Sequence, residues 1–265
     1  MAGWYSLLER HFIYFPRREV VLTPRDVGLP FEDVRFEASD GVSLHGWFVP
    51  ARDGAPTDNH LVWLWMHGNA GNIGDRVQSL RALSDELGVA VFLPSYRGYG
   101  RSGGTPSEQT TYRDAEVALM VLSERYGVAA DRVALFGQSL GSAVAVDLAT
   151  RHRPAGLVLE SGFTSIADMG RRRFPALPVR ALLQNRYDSV AKIGRVDAPV
   201  LIIHGDQDDI VPVEMATRLF EAASEPKRLL VMSGAGHNDV DLVGGSRYFA
   251  ALRTFIQSLE DASLD

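Results

Sequence analysis

The sequence predicts an α/β fold, a mostly parallel sheet with helices on both faces. Three observations carry this expectation. Runs that are apolar throughout recur along the chain. Segments of helical period separate them. Most of the runs close on Gly or another turn former. Strands with two apolar faces need cover on both sides, and a helix between each pair of parallel strands supplies it.

The elements follow in order. After Pro30, "FEDVRFEASDGVSLHGWFVP" holds two alternating runs around Asp40-Gly41, a hairpin signal because Gly takes positive φ without cost. "LVWLWMHG" (61–68) reads as a buried strand, 75–88 as a helix and 89–98 as a second apolar strand. A capping pattern, Ser107 or Thr105 ahead of Glu108, opens a helix over 107–127. Strands are expected at 132–137, 156–161, 199–205 and 228–237, with helices at 140–152, 212–223 and 246–260. Right-handed crossovers then fix most of the topology. No repeat, low-complexity tract or linker interrupts the pattern, so one domain over 1–265 is the economical reading. The stretch 162–196 breaks the rhythm and is too long for plain loop, which suggests a lid insertion. Its Arg171, Arg172 and Arg173 could face an acidic substrate group, but a solvated helix face is the better reading.

Composition narrows the function. A net charge of −6 and the absence of cysteine argue against a nucleic-acid surface and exclude disulfides, thiolate metal sites and a Cys nucleophile. No apolar run approaches the roughly 18 residues of a membrane span. The N-terminal "MAGWYSLLERHFIYFP" lacks the layout of a signal peptide. It is apolar enough for peripheral membrane contact, although packing on its own domain is the plainer expectation. A cytoplasmic location is expected, with no cofactor. Oligomeric state is not readable.

"VALFGQSLGSAVA" places G-x-S-x-G at Gly137, Ser139 and Gly141, between an expected strand and a helix of small residues. That setting is the nucleophile elbow, a turn so tight that side chains at either Gly would clash. A serine hydroxyl needs a base. Of seven histidines, His237 lies in the Gly-rich "SGAGHNDV" after the last strand, where a loop can carry it over the elbow. His67 and His204 each close a strand before Gly, where structural hydrogen bonding is the better expectation. His11, His45, His60 and His152 lie elsewhere.

The base in turn needs an acid, and "HGDQDDIVP" offers Asp206, Asp208 and Asp209. Their place between Ser139 and His237 fits the chain order nucleophile, acid, base. The acids not used for catalysis would make the turn and cap the helix at Pro212. A metal site from His204, Asp206, Asp208, Asp209 and His237 fits neither H-E-x-x-H nor an EF-hand loop and is set aside. "WMHGNAGNIGDR" (65–76) is the expected oxyanion loop, with the N–H groups of Asn69 and Leu140 as donors. It lacks the G-x-x-x-x-G-K-[ST] pattern of a phosphate loop.

Together, "HGNAGNIGDR", "PSYRGYGRSGG", "FGQSLGSAVA", "ESGFTSIADM", "IIHGDQDDIVP" and "GAGHNDV" resemble the α/β-hydrolase superfamily, and within it the Bem46-like group. The resemblance runs from about residue 35 to 255. It implies a mostly parallel eight-stranded sheet and a Ser-Asp-His triad, and its H-G-x-x-D spacing selects Asp208. It also implies that the "YRGYGRSGG" loop lines one side of the site. The expected activity is cleavage of a small-molecule carboxylic ester or thioester through an acyl-enzyme. A peptidase or amidase of the same fold and a non-catalytic binding protein are the alternatives.

Overall fold

The computed structural model describes residues 9–52 and 61–262. Its centre is an eight-stranded sheet. In chain order the strands are β1 (Glu32–Glu37), β2 (Ser43–Val49), β3 (Val62–Met66), β4 (Ala90–Ser95), β5 (Val133–Gln138), β6 (Gly156–Glu160), β7 (Val200–Gly205) and β8 (Lys227–Met232). Their spatial order is β8-β7-β6-β5-β3-β4-β2-β1. β2 is antiparallel to both β1 and β4, and all the other pairs are parallel. Strands β3 through β7 are buried on both faces, as their unbroken apolar runs require.

The principal helices are α1 (Val77–Leu87), α2 (Glu108–Tyr126), α3 (Leu140–Ala149), α4 (Ile166–Arg173), α5 (Val179–Leu182), α6 (Ser189–Lys192), α7 (Val213–Ala222) and α8 (Val240–Ala262). Two buried clusters lie on opposite faces of the sheet. Alternate residues of β3 divide between them: Val62, Leu64 and Met66 point to one, Trp63 and Trp65 to the other.

Local chemistry sets the differences from the sequence expectations. Ser107 does cap α2, but its partner is Thr110, whose hydroxyl accepts from the Ser107 N–H at 2.8 Å. Glu108 is the first helical residue and instead accepts from the Tyr112 hydroxyl at 2.9 Å and the Arg186 N–H at 2.5 Å. β8 ends at Met232, earlier than its apolar run suggested, because Gly234 turns with φ 80°. α8 begins before 246 and bends at Gly245, whose φ of 46° no helix accommodates. Pro212 precedes α7 in extended geometry, and Val213 is its first residue.

The 162–196 stretch holds three short α-helices, α4, α5 and α6, and a 3-10 helix at Ile193–Arg195. Residues 9–13 are helical, and Ile13 and Tyr14 are buried. Phe15–Pro16 then pair in parallel with Ala70–Gly71. The described part of the N-terminal segment therefore packs on its own chain. Residues 1–8, and His60, lie outside the described residues. Among the described residues, no helix is long and apolar enough to cross a membrane.

The "YRGYGRSGG" loop behaves differently from its expectation. It does not line the cleft that opens over Ser139 but supports that cleft from behind. The Tyr99 hydroxyl donates to Asn69 O at 2.8 Å, and the Gly100 N–H to Arg17 O at 2.9 Å. Arg97 holds this loop. Its buried guanidinium donates to Asp114 on α2 at 2.7 Å and to Asp40 of the β1–β2 hairpin at 2.7 Å. Burial raises the Asp114 carboxyl pKa despite those donors, and carboxylate contacts raise that of Arg97 against the cost of desolvation. Arg97→Met leaves a buried carboxylate without its cation and should cost about 3–5 kcal/mol in urea unfolding. Pairing it with Asp114→Leu should recover most of the loss, because neither charge is then stranded.

Candidate active site

The elbow joins β5 to α3. Ser139 sits at φ 51° and ψ −115°, a conformation that L residues rarely adopt. Close backbone packing imposes it. A Cβ on Gly137 would lie 2.5 Å from Gly141 O, and one on Gly141 would lie 1.9 Å from Met66 O. Only hydrogen fits at either position, so the chain turns abruptly and Ser139 is thrust above the sheet edge. The Ser139 N–H donates to Glu160 O at 2.9 Å, fixing the turn to β6.

His237 comes from the loop after β8. Its Nε2 lies 3.0 Å from Ser139 Oγ, and its Nδ1 lies 2.7 Å from Asp208 Oδ2. An ionised carboxylate only accepts, so Nδ1 carries the proton and Nε2 is free to take one from serine. Several contacts hold this loop in place. The Ser161 hydroxyl donates to His237 O at 3.2 Å, the Gln207 N–H to Ala235 O at 2.9 Å and the Gly236 N–H to Asp239 Oδ1 at 2.7 Å.

The three acids after β7 divide the work. Asp208 is buried, and its Oδ1 accepts the N–H groups of Ile210 at 2.9 Å and Val211 at 2.7 Å. Burial alone would push its carboxyl pKa up. Donation by His204, His237 and Val211 outweighs that and holds it well below the ordinary carboxylate range. Asp206 is exposed and accepts the Gly234 N–H at 2.7 Å, closing the turn between the acid loop and the histidine loop. That contact is the main reason its own pKa is lowered. Asp209 is exposed and lines the cleft.

The remaining strand-end histidines are hydrogen bonded to main chain. His67 Nδ1 donates to Gly68 O at 2.7 Å, and burial, with help from Arg76, pushes its pKa down to about 3, so the ring is neutral. His204 Nε2 donates to Val211 O at 2.8 Å and also lies 3.2 Å from Asp208 Oδ2. This second contact was not visible in the sequence, although H-x-x-x-D spacing around a tight turn is the signal that could have shown it. Among the described residues, no group of three His, Asp or Glu side chains is arranged to hold a metal ion.

Asn69 and Leu140 flank Ser139 in the same cleft. The Leu140 N–H belongs to the first turn of α3, where no intrahelical acceptor exists. The Asn69 side chain donates to Ile13 O at 2.9 Å, and its carbonyl accepts from the Phe15 N–H at 3.0 Å. Those bonds fix the loop at the edge of the cleft. A Cβ on Gly68 would lie 3.5 Å from Ser139 Cβ, so the loop passes directly beside the serine. The cleft has a volume of about 1040 Å³. Its walls are largely apolar, with Phe163, Ile166, Met169 and Val179 from the 162–196 stretch, Ile13 from the N-terminal helix and Val211 from the acid loop.

Sequence reading missed a second network behind the elbow. The Glu160 carboxyl is fully enclosed and accepts from Gln138 Nε2 at 2.9 Å and the Tyr248 hydroxyl at 2.6 Å. Burial raises its pKa. It joins β5, β6 and α8 directly below Ser139.

Asp208 has a consequence for acid stability. Its depressed folded pKa stabilises the native state above the unfolded carboxylate value, about pH 4, and that contribution is lost as pH falls through the folded value. Asp208→Asn lacks the contribution. The stability gap between the two proteins should be widest near neutrality and should narrow below about pH 4, as measured by urea unfolding across that range.

Comparison with known proteins agrees with this architecture. The family model described as serine aminopeptidase, S33, matches residues 58–186. An uncharacterised protein of Mycobacterium tuberculosis is 44% identical over 248 residues, covering 94% of this chain and 87% of that protein. The alpha/beta hydrolase domain-containing protein WAV2 of Arabidopsis thaliana is 35% identical, covering 90% of this chain and 82% of its own length. Among solved structures, an esterase of Pyrococcus furiosus superposes with a TM-score of 0.76 over 94% of this chain and 98% of that one, at 19% identity. With a sheet of this order, a serine at a tight strand–helix turn and relatives matched over most of their length, the chain belongs to the α/β-hydrolase superfamily and is a hydrolase of that fold.

Proposed function

We propose that the protein is a serine hydrolase that cleaves carboxylic esters or thioesters through an acyl-enzyme. The observation that carries this reading is the continuous relay from Ser139 Oγ to His237 Nε2, 3.0 Å, and from His237 Nδ1 to Asp208 Oδ2, 2.7 Å, opening into an apolar cleft.

Ser139 Oγ attacks the acyl carbon while His237 Nε2 takes its proton. The carbonyl electrons move onto oxygen, where the N–H groups of Asn69 and Leu140 receive the charge. Asp208 keeps the ring in the required tautomer and stabilises the imidazolium. Collapse of the intermediate expels the alcohol or thiol, which leaves with the proton from His237. Water then attacks the acyl-serine with His237 again as base, releasing the acid and restoring Ser139. The apolar walls suit an acyl chain better than a polar peptide.

A second reading has its own support. The family model is described as a serine aminopeptidase, and Glu9 and Asp209 both line the cleft, where an α-amino group would need an acid. Parallel turnover of nitrophenyl esters and aminoacyl nitroanilides separates the two. Esters should be preferred by orders of magnitude; a preference for the anilides would select the peptidase.

Ser139→Ala should abolish labelling by a fluorophosphonate while leaving the unfolding midpoint close to the parent. Persistent labelling would remove Ser139 from its role. Asp208→Asn should lower kcat by about three to four orders of magnitude, since the wrong tautomer then faces serine. Asp206→Asn and Asp209→Asn should stay within about a factor of ten, because neither carboxylate touches the imidazole. If Asp209→Asn were the crippling change, the acid assignment would be wrong.

A further inference from the structure

The mouth of the cleft carries chemistry that hydrolysis itself does not require. Among the described residues, eleven large apolar side chains are exposed, and six of them line this one cleft: Phe12, Phe15, Phe174, Leu177, Leu182 and Ile210. Exposed apolar groups scattered singly need no explanation, whereas a cluster at a substrate entrance does. The cluster is also cationic. From Met169 to Tyr187 the chain holds Arg171, Arg172, Arg173, Arg180 and Arg186 and no acid, within a protein of net charge −6.

Arg171 is engaged by Asp168, but Arg172, Arg173 and Arg180 form no ion pair among the described residues and are exposed. Of the acids nearby, the Glu9 carboxylate accepts the N–H groups of Gln184 at 3.1 Å and Asn185 at 2.6 Å, which leaves Asp209 as the exposed acid of the lining. In the sequence, residues 1–8 contain Trp4, Tyr5, Leu7 and Leu8 and no Asp, Glu, Lys or Arg.

The geometry points to a docking face for an anionic lipid surface, formed by the α4–α5 segment and the N-terminal helix around the cleft entrance. Arginines on the rim meet lipid phosphates. Phe174, Leu177 and Leu182 enter the acyl boundary, and the entrance to Ser139 then opens toward the bilayer rather than toward water. Charge complementarity favours a bilayer over a second copy of the chain, whose matching face would present the same arginines. The inference that the acyl substrate arrives from the membrane rests on the hydrolase reading above; the docking does not.

The test uses the full chain carrying Ser139→Ala, so that nothing depends on turnover. It is sedimented with vesicles of phosphatidylcholine alone or mixed with phosphatidylglycerol, at low and high salt. Binding should need phosphatidylglycerol and weaken with salt. Arg173→Glu with Arg180→Glu should reduce partitioning about thirtyfold or more, whereas Arg173→Lys with Arg180→Lys should keep it, because a lipid headgroup accepts either cation. Leu177→Asp with Leu182→Asp should lose binding at both salt levels. Circular dichroism of each variant checks its fold.

Absence of binding, binding to phosphatidylcholine alone, or full binding by the charge-reversed protein would overturn the proposal. So would a dimer in size-exclusion chromatography that the same substitutions dissolve, which would make the face an interface between copies. Ester turnover by the unmodified enzyme is measured separately. Its failure would sink the hydrolase reading and leave the docking result intact.

Discussion

The close approach of α3 to the end of β3 is the constraint on which the site depends. Gly141 lies against Met66 O and Gly137 against Gly141 O, with no room for a methyl group at either position. The chain cannot leave β5 gradually. It turns within one residue, and Ser139 takes the strain at φ 51°. That turn starts α3 at Leu140, directly after the serine, and brings the His67–Gly68 corner against it. The position of Ser139 and the approach of the Gly68 loop to it thus follow from one packing contact, and neither needs a flexible loop to assemble it.

Asp208 and His237 are held by a different principle. Charge gathers after β7 because a parallel strand empties there onto the site edge, and each carboxylate has a separate fate. Asp206 ties the two loops together through Gly234. Asp208 is drawn inward and saturated by N–H donors from Ile210, Val211, His204 and His237. A buried carboxylate costs several kcal/mol unless donors replace its water, so this saturation is what allows an ionised acid to sit behind the imidazole. His204 contributes to it from the strand end. It therefore belongs to the electrostatics of the site, although its main hydrogen bond is to Val211 O.

Legibility in the sequence followed the physics of each feature. The two-faced apolar strands could be read because burial on both sides leaves no alternation, and the hairpin at Asp40-Gly41 because positive φ selects Gly. The elbow was legible because its sterics demand small residues at fixed spacing. Spacing alone did not separate Asp206, Asp208 and Asp209, since a turn can point any of them inward; resemblance to a family chose Asp208. Glu160, Tyr248 and Ser161 were illegible, because the network joins residues far apart in the chain that carry no local pattern. The "YRGYGRSGG" loop was placed on the wrong side of the wall. Its buried tyrosines face the underside of the Asn69 loop, a distinction that no periodicity encodes.

The two segments at the cleft mouth, distant in sequence, are mechanically one piece. The Tyr14 hydroxyl lies 2.8 Å from that of Tyr187 and donates to Asn185 Oδ1 at 3.2 Å, while Tyr187 reaches Thr111 Oγ1 at 2.8 Å. Asn185 Oδ1 also accepts the N–H of Glu108, the first residue of α2, at 2.6 Å. Burial raises the pKa of both tyrosines, so neither ionises and the network stays one of neutral hydroxyls. The Phe15–Pro16 strand pairs with Ala70–Gly71 of the Asn69 loop. A displacement of the N-terminal helix would therefore strain the Asn69 loop through the Phe15–Asn69 hydrogen bond and the 162–196 stretch through Asn185 and Tyr187. The cleft mouth and the Asn69 loop beside Ser139 are thus coupled through one chain of hydrogen bonds, and whatever displaces the mouth also acts on that loop.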